Sequence, residues 1–290
     1  MTLEQAYEYC RLTARTHAKS FYFSAQFLPR HKRKAIYAVY ALCRHVDDAV
    51  DELNEPTEAA GRLAVAHWQA ELNRVYQHKD SLSDDVSPVM RAWRDMLSRY
   101  TIPQDLPLEL MRGVLMDTHI TRYATWADLK VYCYRVASTV GLMVTEIFGY
   151  QKPETLHYAE ALGYAMQLTN ILRDIGEDAR LGRIYLPQDE MHRFGYTEAA
   201  LMRGEINDAF RNLMKFEIAR ARDFYRQAER GIALLDRDAR FTVLLAARIY
   251  ARILERIEAA DYDVFTRRAH TTFTGKLRSV PRIWHEARRL

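Results

Sequence analysis

An all-α fold follows from three observations. Apolar residues recur at helical spacing almost throughout, Gly and Pro number only 11 and 8 in 290 residues, and Asn-Gly and Asp-Gly pairs are absent. With 49% hydrophobic residues the chain can bury a substantial core, and no linker or fixed-period repeat divides residues 1–290. The expectation is a single domain of packed long helices. Taken in order, the first helix is predicted over 3–18. The second, 30–53, closes at NEPT, and the third, 57–77, ends at the Ser-rich KDSLSDDVSP. Helices over 87–100 and 105–120 are separated by TIPQDLP, and TRYATW precedes the next, 126–149. YQKPE then introduces 153–178. The stretch 179–204, opening on ARLGRIYLP, is the least regular and predicts loop mixed with short helices, before helices over 205–229 and 239–260.

Composition narrows the function classes. No apolar run is long enough to cross a bilayer, and the first residues lack a signal-peptide core, so a cytoplasmic location is expected. Cys10, Cys43 and Cys133 form no CxxC pair and are expected as free thiols within helices. A net charge of +4 is too mild for a nucleic-acid partner. That charge is concentrated at the end. From Thr266 onward seven Lys and Arg oppose the single Glu286. A basic tail of about 268–290, carrying Phe273 and Trp284, predicts either a solvated end or peripheral contact with an anionic membrane surface.

The chemistry lies in the carboxylates. Residues 44–52, RHVDDAVDE, crowd four acids onto the end of a helix, where the dipole favours cations, and Asp47 and Asp51 repel each other at i,i+4. Three D-x-x-x-D pairs occur among 19 Asp, so each is judged by its setting. Asp80/Asp84 lies in a Ser-rich loop and reads as solvated surface. The other two sit on apolar helices. Tyr40, Arg44, Asp47 and Asp51 form one stripe, and Gln167, Asn170, Asp174 and Asp178 form another. Asp48 lies about 100° from Asp47 and ranks second.

Ion pairing with Arg44 and Arg173 would account for either stripe alone, but it accounts less well for both together. Two polar stripes on apolar helices together call for a polar partner or a wet cavity. Carboxylates and an amide oxygen, with no thiol or paired histidine, make a hard-oxygen donor set suited to magnesium, with manganese as a substitute, and to a bridging diphosphate. A diiron bundle needs two E-x-x-H motifs, and only Glu154–His157 is present, at a helix start where the dipole explains the Glu. Walker, Rossmann and G-x-S-x-G signatures are absent.

These segments resemble the squalene/phytoene synthase family, the head-to-head isoprenyl diphosphate synthases. YAVYALCRHVDDAVDE is similar to its first acidic helix, and QLTNILRDIGEDARLGRIYLP, residues 167–187, to its signature. HAKSF at 17–21 with LP at 28–29, and YCYRVASTVG at 132–141, match in order, with Ser138 where the family commonly has Gly. The likeness runs from about residue 5 to Arg267, and is greatest to bacterial phytoene-forming members. It implies an isoprenoid-synthase helical bundle around a central cavity. It further implies metal ligands Asp47, Asp51, Asn170, Asp174 and Asp178, with diphosphate contacts from His17, Ala18, Lys19, Ser20, Tyr40, Arg44, Gln167, Arg173, Tyr250 and Arg267. Catalytic roles fall to Tyr132 and Tyr185, near the reacting carbons, and to Arg44 and Arg173. The implied reaction joins two prenyl diphosphates through a cyclopropylcarbinyl diphosphate. Proton loss then gives phytoene or dehydrosqualene, and hydride from NADPH gives squalene. Ala25, small and just past HAKSF, favours a deep tunnel and twenty-carbon substrates over fifteen-carbon ones.

Overall fold

The computed structural model describes residues 1–53, 57–77 and 86–290, with the side chain of Phe273 outside that description. Helix α1 (Leu3–His17) starts from a capping box in which Thr2 and Gln5 satisfy each other's orphan amides. A single residue, Ala18, separates it from α2 (Lys19–Ala25). Helix α3 (Arg30–Asp51) buries an almost continuous apolar face from Ala35 to Val50, against α1 and α5 (Pro88–Leu97). Helices α4 (Glu58–Gln77) and α6 (Asp105–Met116) cover its other side. Helix α7 (Trp126–Cys133) opens on a second capping box, Thr125 with Asp128. Helix α8 (Thr139–Phe148) closes at Gly149, whose φ of +73° is a conformation that suits glycine.

Helix α9 (Thr155–Arg180) is the longest and lies along α12 (Asp208–Ile232), with α8 and α13 (Arg237–Ala259) against its flanks. Between α9 and α12 the irregular stretch holds α10 (Gln188–Arg193) and α11 (Glu198–Met202), as its composition predicts. No strand is formed among the described residues, only isolated bridges at Arg122–Ile184 and Tyr150–Leu235. The core has two apolar bodies. One gathers α1, α3, α5 and the first half of α13, and the other gathers α9, α12 and the second half of α13. Leu162 of α9 packs against both, and the two acidic helices, α3 and α9, belong one to each.

Four sequence expectations are corrected. The helix predicted over 126–149 is broken by a π-helical turn, Tyr134–Ser138, where α9 comes close: a Cβ on Gly163 would lie 2.4 Å from Ser138 Cα. The Ser138 hydroxyl donates to Glu160 O at 2.8 Å, so serine is accommodated there by a bond to α9. Residues 19–25, left between the first two predicted helices, form a short helix of their own. The basic tail is not a solvated end: α14 (Phe273–Ala287) docks on α13 and buries Lys276, Ser279 and Ile283. The second predicted helix ends at Asp51, short of residue 53. All three cysteines are free, with Cys10 and Cys133 buried and Cys43 half-buried. The pair Asp80/Asp84 and the stretch Asn54–Pro56 lie outside the described residues, and no described helix is long and apolar enough to cross a membrane.

Candidate active site

The two stripes face a common space with Asp117, the C-cap residue of α6, between them. Burial, then the neighbouring charge of Asp51 with lesser contributions from Asp117 and Asp48, pushes the Asp47 carboxyl up to about 7, although Arg44 opposes the shift. Burial and the charges of Asp174, Asp117 and Glu177 likewise push Asp178 up to about 7 against Arg183. Asp117 thus feels Asp47 and Asp51 from α3 and Asp178 from α9. Carboxylates this close, shielded from water and short of cations, raise one another's pKa values.

The basic groups are unevenly shared. Arg44 pairs with Asp48, leaving Asp47 at 3.6 Å, so the acid ranked second from sequence takes the tighter bond. On α9, Arg173 Nε and Nη2 donate to Asp174 at 2.8 and 2.5 Å. Arg268, from the chain between α13 and α14, donates to the same carboxylate at 2.9 and 3.2 Å and reaches Glu177 at 3.5 Å. Burial disfavours the Asp174 charge, but the two guanidinium groups hold its carboxyl below the usual range. Further along the stripe, Asn170 Oδ1 accepts from the Tyr250 hydroxyl at 2.7 Å, and Asn170 Nδ2 donates to Gln167 Oε1 at 3.3 Å.

Tyr132 and Tyr185 are brought together as a stacked pair, with ring centroids 5.1 Å apart. Their hydroxyls donate to Asp117 at 2.9 and 2.7 Å. Tyr123 closes the cluster at 5.7 and 5.8 Å from the two rings, its own hydroxyl buried without a partner. Arg183 donates to Asp117 O at 3.3 Å. Asp117, Tyr123 and Arg183 were not singled out from the sequence. Arg183 lies within the quoted signature and Tyr123 within TRYATW, while Asp117 sits four residues before TRYATW with no spacing partner to mark it.

Among the remaining candidates, Tyr40 lies on α3 and stacks on Phe21 of α2 at 5.5 Å, which joins the HAKSF segment to the first stripe. His17 ends α1, Ala18 is the joint, and Lys19 and Ser20 open α2. Arg267 is 77% exposed and faces Asp263 at 4.0 Å, so the residue that reaches the carboxylates is its neighbour Arg268. Beyond Gln167, a largely apolar cavity of about 50 Å³ lies between α8, α9, α12 and α13, bordered by Val144, Phe148 and Leu162.

The donor set suits a hard divalent cation. Asp47 and Asp178 are the carboxyls left short of positive charge. No group of three His, Cys, Asp or Glu side chains is gathered tightly enough to hold an ion among the described residues. A divalent cation held here would take carboxylate oxygens from either helix, with a phosphate-bearing ligand able to supply others.

The profile of the squalene/phytoene synthase family matches residues 14–274. The chain belongs to the squalene/phytoene synthase family. It is 42% identical to a 15-cis-phytoene synthase of Synechococcus elongatus, over 97% of this chain and 92% of that one. Identity to a phytoene synthase of Arthrospira platensis is 40%, over 97% and 93%. A crystal structure of a dehydrosqualene synthase with a ligand superposes with a TM-score of 0.91, at 28% identity, over 99% of this chain and 98% of that one. The squalene synthase HpnC of Alicyclobacillus acidocaldarius gives 0.81 at 30% identity, over 90% and 96%. As a member of the squalene/phytoene synthase family, the chain is a prenyltransferase with the isoprenoid-synthase helical fold.

Proposed function

We propose that the chain joins two geranylgeranyl diphosphates head to head, by way of a cyclopropylcarbinyl diphosphate, to give phytoene and release diphosphate. The observation that carries this is the 42% identity to a phytoene synthase along almost its whole length. Ala25, buried and small at the end of α2, adds no bulk that would stop a long chain there.

In this reading Asp47 and Asp51 on one side, and Asn170, Asp174 and Asp178 on the other, hold magnesium, with manganese able to replace it. The metal would neutralise the departing diphosphate, so ionisation needs no protein nucleophile. Arg44, Arg173 and Arg268 orient the diphosphates, supported by Lys19, Ser20 and Tyr250. The stacked faces of Tyr132 and Tyr185, fixed by their bonds to Asp117, sit against the allylic cation. Apolar neighbours such as Ile171 and Ile175 keep water from it. The final step is loss of a proton, so NADPH is not consumed. Residues 1–290 act as one catalytic domain, and its basic C-terminal helix makes peripheral contact with an anionic membrane surface.

Incubation with magnesium and each prenyl diphosphate, with and without NADPH, followed by mass spectrometry of the hydrocarbon, tests the assignment. Phytoene from the twenty-carbon substrate, equally with or without NADPH, is expected. A product from the fifteen-carbon substrate alone, or NADPH-dependent squalene, would overturn it.

A further inference from the structure

The junction of α13 and α14 encloses a second pocket, of about 380 Å³, which none of the candidate active-site residues lines. Arg252 and Arg256 of α13 and Lys276 of α14 border it, against the one carboxylate of Glu255. Lys276 decides its character. The residue is 7% exposed, and its ammonium has no hydrogen bond or ion pair with any described residue. Its ammonium reaches the pocket rather than a protein partner, so three cations line this space against one carboxylate, a balance that favours an anionic occupant. Burial, and then the charge of Lys19, pushes its pKa down, as expected of an ammonium short of negative charge. Arg252 is fixed in the wall by bonds to Gly275 O, at 3.1 Å, and to the Ser279 hydroxyl. The pocket also takes in Thr271, Thr272 and Gly275 at the start of α14, where the Thr272 hydroxyl caps the Gly275 amide and the helix dipole turns its positive end.

Roughly 100° round α14 from Lys276 runs a stripe that the rest of the chain leaves uncovered. Leu277 is 54% exposed and Trp284 48%. Arg288 stacks over the Trp284 ring at 4.5 Å, and Arg278 and Arg289 flank it without ion pairs among the described residues. Apolar side chains bracketed by arginines suit the boundary between lipid headgroups and acyl chains.

We propose that the α13–α14 pocket binds the phosphate of an anionic phospholipid while Leu277 and Trp284 enter the membrane surface beside it. The proposal rests on the peripheral membrane contact proposed above and supplies its site. A free phosphate would satisfy Lys276 but leave the exposed stripe uncovered, whereas a lipid satisfies both. Docking there would also place a prenyltransferase, whose substrates are amphiphiles, against the phase that dissolves them.

Sedimentation of the full chain with vesicles of phosphatidylcholine alone, or mixed with phosphatidylglycerol, tests this. Strong binding to the mixed vesicles only is expected, weakened by salt. Replacing both Lys276→Met and Arg256→Gln should weaken that partitioning about tenfold or more. Lys276→Arg should retain it. Lys276 makes no hydrogen bond or ion pair for the methionine to break, so the variant's melting temperature should not fall, which separates lost binding from lost folding. If the wild type ignores anionic vesicles, the membrane contact fails and this site with it. If wild type and double variant partition alike, the contact stands and the pocket assignment is overturned. If inorganic phosphate stabilises the wild type but not the double variant, while anionic vesicles are not bound, the pocket serves a free anion and the lipid is overturned.

Discussion

Asp47 carries the clearest residue-level consequence. Its carboxyl sits at about 7 because burial and three other acids disfavour its charge. Asp47→Asn removes that repulsion together with one of the proposed anchors for a metal-bound diphosphate. Turnover should fall by about 100-fold or more, while the melting temperature holds or rises. Near-normal turnover would take Asp47 out of the site. Asp117 gives a second test. An amide there can accept from only one of the Tyr132 and Tyr185 hydroxyls that now bond its two oxygens. Asp117→Asn should lower kcat about tenfold with little change in KM, since it disturbs the rings facing the cation rather than the diphosphates. The stripes were legible because a polar run every three or four residues on an apolar helix has few explanations. Asp117 was not, because a helix C-cap joins the site through space alone. The choice between Arg267 and Arg268 depends on how the chain crosses Asp174, and adjacent arginines cannot be told apart by composition.

Among the elements, the long helices were readable from their spacing, and the misses have separate causes. Seven residues of α2 span two turns, too few for a periodicity to stand out. In α14 two of the inward-facing residues, Lys276 and Ser279, are polar, and Pro281 interrupts the run. The π-turn is set by the approach of α9 to Ser138. Gly163→Ala would drive a Cβ into backbone rather than a movable side chain. It should cost about 1–3 kcal/mol, read by chemical denaturation. A pH-dependent contact lies between α10 and α12. Glu217 is fully buried, one oxygen without a partner and the other accepting from Arg220 at 2.8 Å, with Glu190 on the same guanidinium and Cys133 of α7 nearby. Burial, then Glu190, raises its carboxyl well above the ordinary 4.5. The folded state therefore holds a proton that the unfolded chain releases above that value, and stability from this group is lost as pH rises toward the folded pKa. Glu217→Gln cannot titrate, so its melting temperature relative to wild type should climb from pH 5 to pH 8. A constant difference across that range would show that Glu217 is not protonated in the fold.

At the scale of the whole molecule, two apolar bodies meet along α9 and α13, and each contributes one acidic helix to their boundary. The helical class and the pairing of stripes were visible in the sequence because both depend on local spacing. The facing of those stripes across Asp117, and the loan of Asp174 to Arg173 and Arg268, depend on tertiary packing. In the proposed reaction, magnesium and diphosphate would complete one site together between the two acidic helices. Titration calorimetry with magnesium and a non-ionisable thiolodiphosphate analogue of geranylgeranyl diphosphate tests it. Magnesium should bind weakly to the protein alone and at least about tenfold more tightly once the analogue is present, with the analogue gaining by the same factor from magnesium. Analogue binding that is unchanged by magnesium, or tight magnesium binding with no analogue, would contradict the account.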